Sequence, residues 1–428
     1  MSEWPQEPPA ALWRELSRER FSAPALVGDR ISDVAVIGAG ISGLCTALEL
    51  ARRGRSVTVL EAATVGAGAS GRANGQVISA LTRHGPEAIV EALGERFLRL
   101  LSGAADRLFD LVRRHDIDCD AVQAGWLQPA HSPGRLRRVQ GLARQWAQAG
   151  VPAAALDAPE MAARLGTSVY PGGWENSQGG HINPYAFTLG LARAATGAGV
   201  VVHEQSPALR LTRSASGWQV DTPEGRVLAR KVVLATAAHT GDLWPGLRRS
   251  IVPVTSYQAA TAPLGARGAA ILPQGHAFSD TRFDLHYMRK DRDGRLVSGG
   301  ALAVQALAGR RLPARVRQRI ADTFPDLGAI DVPYFWAGRI AMTVDRLPHL
   351  HRTPDGLVTW IGCNGRGLAL ACAMAEVVAD AVCDVPDAEL ALAPVPVPRV
   401  PFHPIVSRTA RLILPWYRWC DSRDVAAG

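Results

Sequence analysis

Hydrophobic positions early in the chain fall in short unbroken runs separated by glycine turns. Asp33-Val34-Ala35-Val36-Ile37 reads as a strand buried on both faces. It enters Gly38-Ala39-Gly40-Ile41-Ser42-Gly43, and the spacing then predicts a helix to about Arg53. Ser56-Val57-Thr58-Val59-Leu60 is the next strand, ending at Glu61. Strand, helix and strand make one βαβ unit. Residues 85–115 and 135–148 read as helical, and 126–129 as a short strand. Asn183-Pro184 opens a helix, followed by a strand at 200–203. Alternation at 208–211, 218–221 and 226–228 predicts a small meander, after which 231–235 returns as a buried parallel strand. From 251 to about 336 β-like stretches dominate, including 282–289 and 296–302, interrupted by a helix over 313–324. A strand at 358–361 leads into a second glycine turn and a long Ala-rich helix.

Length and charge narrow the classes. The 428 residues suggest two or three domains, and 47% hydrophobic with 20% charged residues fits a folded globular protein. No apolar run approaches the roughly 18 residues of a membrane-spanning helix. Residues 1–22 lack the apolar core of a signal peptide. The six cysteines show no metal-ligand spacing, so no metal site is expected and a reducing cytoplasm fits best. Net charge is +8, carried by arginine, since Lys231 and Lys290 are the only lysines. The basic clusters lie on helix faces without interleaved aromatics, which argues against nucleic acid.

The first glycine turn carries chemistry. Gly38 permits a tight turn, Gly40 lets backbone approach a pyrophosphate, and Gly43 lets the helix pack close to the strand. The amides of Ala39, Ile41 and Ser42 then face the phosphates at a helix N-terminus. Glu61, with Ala62 beside it, can accept both ribose hydroxyls of an adenosine and would repel a 2′-phosphate.

Three further segments favour FAD over NAD. Gly66-Ala67-Gly68-Ala69-Ser70-Gly71-Arg72-Ala73-Asn74-Gly75-Gln76 holds four glycines of eleven residues directly after the acid, as if passing a flat group closely. Ala69, Ser70, Arg72, Asn74 and Gln76 are its candidate contacts. Gly362-Cys363-Asn364-Gly365-Arg366-Gly367-Leu368 again aims a helix N-terminus at an acceptor. There Gly362, Asn364, Gly365, Arg366, Gly367 and Leu368 are the candidates. The strand ending at Ala235 supplies small residues for close approach.

These segments, with GGHINP (179–184) and WAGRIAMTVDRLP (336–348), resemble the amine- and amino-acid-oxidising FAD flavoproteins, D-amino-acid oxidase-like, and within them the γ-glutamylputrescine oxidoreductase branch. The resemblance implies an α/β fold of the glutathione-reductase/D-amino-acid-oxidase type. A Rossmann-like FAD-binding domain would occupy 30–115, 183–250 and 335–395. A discontinuous α+β substrate domain with an antiparallel sheet would take 116–182 and 251–334. Residues 1–29 would form an arm and 396–428 a tail. Ala208 matches a position whose backbone meets adenine.

Departures from the family pattern shape the chemistry. Members binding α-amino acids often carry Arg-Pro where Ile340 and Ala341 stand here, so a simple amine or a distal acid fits better. No lysine falls near Val297, where sarcosine-oxidase-like members use one with oxygen. The acceptor is therefore O2 or a quinone or other carrier. Positions for covalent attachment lack Cys and His, so FAD is expected to be non-covalent.

The expected reaction is hydride transfer from an amine carbon to flavin N5, giving imine and then aldehyde. Alternatives are a D-amino-acid, glycine or sarcosine type dehydrogenase or oxidase, and a flavin-binding protein without turnover. The amine must lose a proton, from a pKa near about 10.4, by desolvation or to a base. His286, Tyr287, Tyr257, Trp336 and Arg339 are the candidates for base or substrate contact. His286 and Tyr287 alternate, so at most one faces the flavin. The tail mixes Arg with Ile, Leu, Trp and Tyr; docking on the protein's own surface is the stronger expectation, and a membrane surface the weaker.

Overall fold

The computed structural model describes residues 9–81, 83–214 and 217–426. Its first sheet is built around the predicted βαβ unit. Strand Gly28–Ile37 lies between Gly225–Leu234 and Val57–Leu60, parallel to both, with Val36 opposite Val233 and Val59. Val201–His203 and Leu357–Ile361 extend the parallel core on either side, and His349–Arg352 closes one edge antiparallel. The predicted meander, Arg210–Ser214 and Gly217–Asp221, folds back onto Gly225–Leu234. All four residues of Val57–Leu60 are buried, as a strand covered on both faces requires.

Helices Ile41–Arg52, Ala104–Arg114, Pro184–Gly197 and Gly367–Val382 pack on one face of this sheet. The alanines of Gly367–Val382 let it approach Ile41–Arg52 closely, so the sulfurs of Cys45 and Cys372 touch at 3.8 Å.

The second sheet runs Tyr334–Met342, Val252–Ala260, Leu296–Gly300, Tyr287–Lys290, Ala277–Ser279, Trp126–Pro129, Gly173–Asn176, Ala153–Leu156. It is antiparallel except where Ala277–Ser279 runs parallel to Trp126–Pro129. Helix Ala308–Thr323 covers one face through Leu312, Val316 and Ile320. Two expectations need correction. Tyr334–Met342 pairs along its length with Val252–Ala260, so it belongs to this sheet and the boundary at 335 moves beyond 342. Only Tyr287–Lys290 of the strand expected at 282–289 forms, because side-chain carboxylates take the backbone amides before it.

The two sheets meet at the glycine-rich segment 66–76. Four successive carbonyls there are satisfied from elsewhere. Trp336 Nε1 donates to Arg72 O (2.9 Å), Trp13 Nε1 to Ala73 O (2.7 Å), Arg289 Nε to Asn74 O (2.8 Å), and the Ile182 amide to Gly75 O (2.9 Å). Trp13 comes from the N-terminal arm, sits edge-on to Trp336 with centroids 5.4 Å apart, and lies 4.3 Å beneath the Arg289 guanidinium. Arg289 also donates to Ile182 O at 3.0 Å. Burial lowers its pKa to about 10, so it stays charged at neutral pH.

Arg289→Met keeps the bulk but removes the donors to the Asn74, Lys290 and Ile182 carbonyls. We expect a loss of about 3 kcal/mol, read by urea denaturation, with weakened FAD retention. An unchanged urea midpoint would show that the clamp does not stabilise the fold.

Candidate active site

The C-terminal ends of the parallel strands lie side by side at one edge of the first sheet, where ligands usually bind in such sheets. Gly38 turns with φ of 109°, and a methyl group on it would come 2.8 Å from Ala235 O. A methyl group on Gly43 would meet Gly38 O at 2.0 Å. Helix Ile41–Arg52 therefore starts tight against the strand. Its Ile41 amide donates to Ser70 Oγ (3.0 Å), which also stands 2.8 Å from where a methyl on Gly40 would be. Ser42 Oγ accepts from Trp360 Nε1 at 2.7 Å and keeps its own proton to donate. Glu61 is fixed at both oxygens, by the Ala39 amide (2.9 Å) and the Ala63 amide (3.0 Å). Ala62 is exposed beside it, and Ala208 is half-buried against the neighbouring apolar cluster. A pyrophosphate cradle, a helix N-terminus and an oriented carboxylate fit the adenosine end of FAD.

Segment 66–76 and the turn at 362–367 are the two stretches expected to meet a flavin. A methyl group on Gly71 would clash with Gly66 O (2.2 Å), and one on Gly75 with Ile182 O (2.3 Å), so backbone packs on backbone. Ala69–Arg72 is a short 3-10 turn. Arg72 Nε donates to Ala67 O at 2.9 Å. Gln76 crosses to the second sheet, donating to Phe278 O (3.0 Å) and accepting from Ser279 Oγ (3.0 Å). Gly365 is left-handed with φ of 85°, and Gly367 and Leu368 begin the helix behind it. Asn364 departs from expectation. Its side chain is taken up by the Thr343 amide (2.9 Å) and Gly362 O (2.7 Å), so it shapes the turn rather than facing a ligand. The Arg366 guanidinium points across to the second sheet, 5.2 Å over Trp126, while its backbone amide donates to Cys363 O at 2.8 Å. Burial lowers its pKa to about 10, which leaves a full charge.

The five residues expected to act on substrate do not gather at one place. Tyr257 packs in the second sheet's apolar core, stacked on Phe335 at 5.8 Å. Pleating turns its neighbour Gln258 the other way, where it accepts from Asn74 Nδ2 (3.0 Å) and donates to the Tyr287 hydroxyl (2.9 Å). Tyr287 thus joins the group, and burial raises its pKa, keeping it protonated. Trp336 is a buried wall whose only polar atom is committed to Arg72 O. Arg339 alternates with Gly338 and Ile340, and Ile340 is the residue that reaches Gly365. His286 stands on a separate loop. Burial, with Arg319 and Arg282 nearby, drops its pKa to about 2.

That loop, 280–286, is held from three sides. Asp280 accepts from the amides of Arg282 (3.1 Å) and His286 (3.0 Å). Asp421, on the C-terminal helix Leu414–Ala426, accepts from the amides of Phe283 (2.7 Å) and Asp284 (3.0 Å). Asp284 is gripped by Arg315, Arg319 (2.8 Å) and Arg418 (2.9 Å). Phe283 stacks on Tyr417 at 5.4 Å, beneath the guanidinium of Arg83. Gln258, Arg83 and Asp421 escaped sequence reasoning. Gln258 alone left a signal, as a long polar side chain between Tyr257 and two alanines.

The fold defines the class, a dinucleotide-binding protein built on one parallel-cored sheet and one mainly antiparallel sheet. The family model for FAD-dependent oxidoreductases (DAO) matches residues 33–381, and the chain belongs to this family. It is 32% identical to a probable oxidoreductase, OrdL, of Rhizobium meliloti over 85% of this chain and 86% of that protein. It is 29% identical to γ-glutamylputrescine oxidoreductase of Escherichia coli over 78% and 80% respectively. The crystal structure of glycine oxidase from Geobacillus kaustophilus superposes with a TM-score of 0.67 at 24% identity, covering 82% of this chain and 95% of that one. The protein is an FAD-dependent oxidoreductase.

Burial has a consequence for pH. His131 stands against the loop, bonded to Thr281 Oγ1 at 2.7 Å, and burial with Arg282 and Arg135 lowers its pKa to about 4. A histidine depressed in the fold adds stability above its unfolded pKa, about 6.5, and loses it as pH falls through the folded value. Asp280 and Asp421, raised by burial, take up protons in the fold and oppose this loss. The urea midpoint should fall between pH 6.5 and 4, and His131→Asn should flatten that fall. Equal slopes in the two proteins would remove His131 from the account.

Proposed function

We propose that the protein oxidises an amine whose carboxylate, if present, lies away from the reacting nitrogen, with γ-glutamylputrescine as a representative substrate. The observation that carries this reading is Ile340. An apolar side chain stands against the 362–367 turn, 3.8 Å from where a methyl on Gly365 would be. Ile340 stands where an arginine could pair an α-carboxylate, so that position offers no cation. Arg366, unpaired over Trp126, offers one further toward the second sheet.

FAD supplies the acceptor for the two electrons and hydrogen that leave the amine carbon as hydride. The protein's part is to bind, orient and desolvate. His286 is too weak a base at neutral pH to take the amine's proton, and Tyr287 is already protonated. The ammonium therefore gives its proton to bulk water on entering the site, and desolvation keeps the bound amine neutral. The lone pair expels hydride, and water cleaves the resulting imine to aldehyde and released nitrogen. Tyr287, Gln258 and Asn74 link the second sheet to the glycine segment and orient what lies between. FAD is held without a covalent bond, at the strand ends of the first sheet. The second sheet faces the substrate. Val297, wholly buried against Trp13 and Trp336, occupies the position expected for an oxygen-reactive lysine, which favours an acceptor other than oxygen. Cytoplasmic polyamine breakdown is the setting that fits this chemistry and the free cysteines.

With an artificial electron acceptor, turnover on γ-glutamylputrescine should exceed that on D-alanine, glycine and sarcosine. It should climb with pH toward the amine's own pKa. Arg366→Met should raise KM for a substrate with a distal carboxylate about tenfold or more while sparing the plain diamine. Faster turnover on the α-amino acids, or equal loss for both amines, would contradict the reading.

A further inference from the structure

The C-terminal segment has two different faces. Its helix Leu414–Ala426 turns both of its acids inward, Asp421 onto the amides of Phe283 and Asp284 and Asp424 onto Arg135. Tyr417 stacks inward and Leu414 is buried. The preceding helix His403–Thr409 is tied by His403 Nε2 to Ile251 O at 2.8 Å. The segment is therefore fastened to the body along its length.

Its outer face is apolar and cationic. Phe402 is 80% exposed, Ile405 63%, Leu412 60%, Trp416 57% and Trp419 47%. Trp416 and Trp419 lie against one another at 4.7 Å, so they share one patch instead of being scattered. Arg408, Arg411 and Arg423 stand exposed with no acidic partner among the described residues, and Arg423 lies 5.0 Å over Trp419. Monomeric surfaces seldom leave such aromatic patches bare. Between Phe402 and Val425 the only acids are the two turned inward.

We propose that residues 402–425 form an interfacial anchor that seats the protein on an anionic lipid surface. Paired tryptophans beside arginines match the acyl–headgroup boundary, where apolar faces insert and guanidinium groups meet phosphates. Charge argues against a second copy as the occupant. A two-fold contact would set the same arginines against each other, in a chain already at +8. No helix among the described residues is long and apolar enough to cross a membrane, so the anchor lies on the surface. This inference is independent of the substrate.

The test uses the full FAD-loaded protein and sedimentation with vesicles. Wild type should pellet with phosphatidylglycerol–phosphatidylcholine vesicles, much less with phosphatidylcholine alone, and be released by high salt. Trp416→Ser with Trp419→Ser should lower partitioning about tenfold or more while solution turnover is retained. Loss of pelleting in Arg408→Gln with Arg423→Gln tests the charge separately. No pelleting with either vesicle overturns the proposal. So does a concentration-dependent dimer, seen by light scattering, that the tryptophan changes dissolve while vesicles are ignored.

Discussion

The junction between the two sheets depends on how the backbone of residues 72–75 is held. This segment forms no strand, so its half-buried carbonyls must find donors elsewhere. Each orphaned carbonyl would cost about 1–3 kcal/mol. Trp336, Trp13, Arg289 and the Ile182 amide each take one. Two of these donors come from the second sheet, one from the N-terminal arm and one from the segment leading into helix Pro184–Gly197. Segment 66–76 is thus completed only when the arm and the second sheet are docked. This ties the stretch expected to meet the flavin to the assembly of both units, and it explains why a cation as costly to bury as Arg289 is kept.

The same economy of charge shapes the substrate side. Asp284 is neutralised by three arginines, and Asp280 and Asp421 spend their oxygens on backbone amides of one loop. The histidines nearby are neutral through burial. What remains unbalanced is positive, with Arg366 over Trp126 and two helix N-termini at the strand ends. Such a site favours anionic cofactor groups and a neutral amine over an ammonium.

The dinucleotide unit was legible because its signals are local. A buried run, three spaced glycines, a 3.6-residue period and a terminal acid all occur within thirty residues. The second sheet was legible only as β-rich sequence. Pleat phase decides between Tyr257 and Gln258, and phase depends on the partner strand Tyr334–Met342. The loop at 280–286 looked like a strand because its alternation is real. The amides it would need for a ladder go to Asp280 and to Asp421, more than 130 residues distant. Asn364 looked like a ligand contact, but Thr343 claims its amide. Trp13 carried no local signal, since its one decisive hydrogen bond reaches Ala73.

The central claim is that this site holds FAD and removes hydride from an amine. The most direct measurement is the visible spectrum of the FAD-loaded protein, taken without oxygen, before and after adding γ-glutamylputrescine and a panel of amines and amino acids. The account predicts that the flavin band bleaches with an amine and is slow to bleach with D-alanine or glycine. A protein that takes up no FAD, or a band bleached by α-amino acids alone, would contradict it.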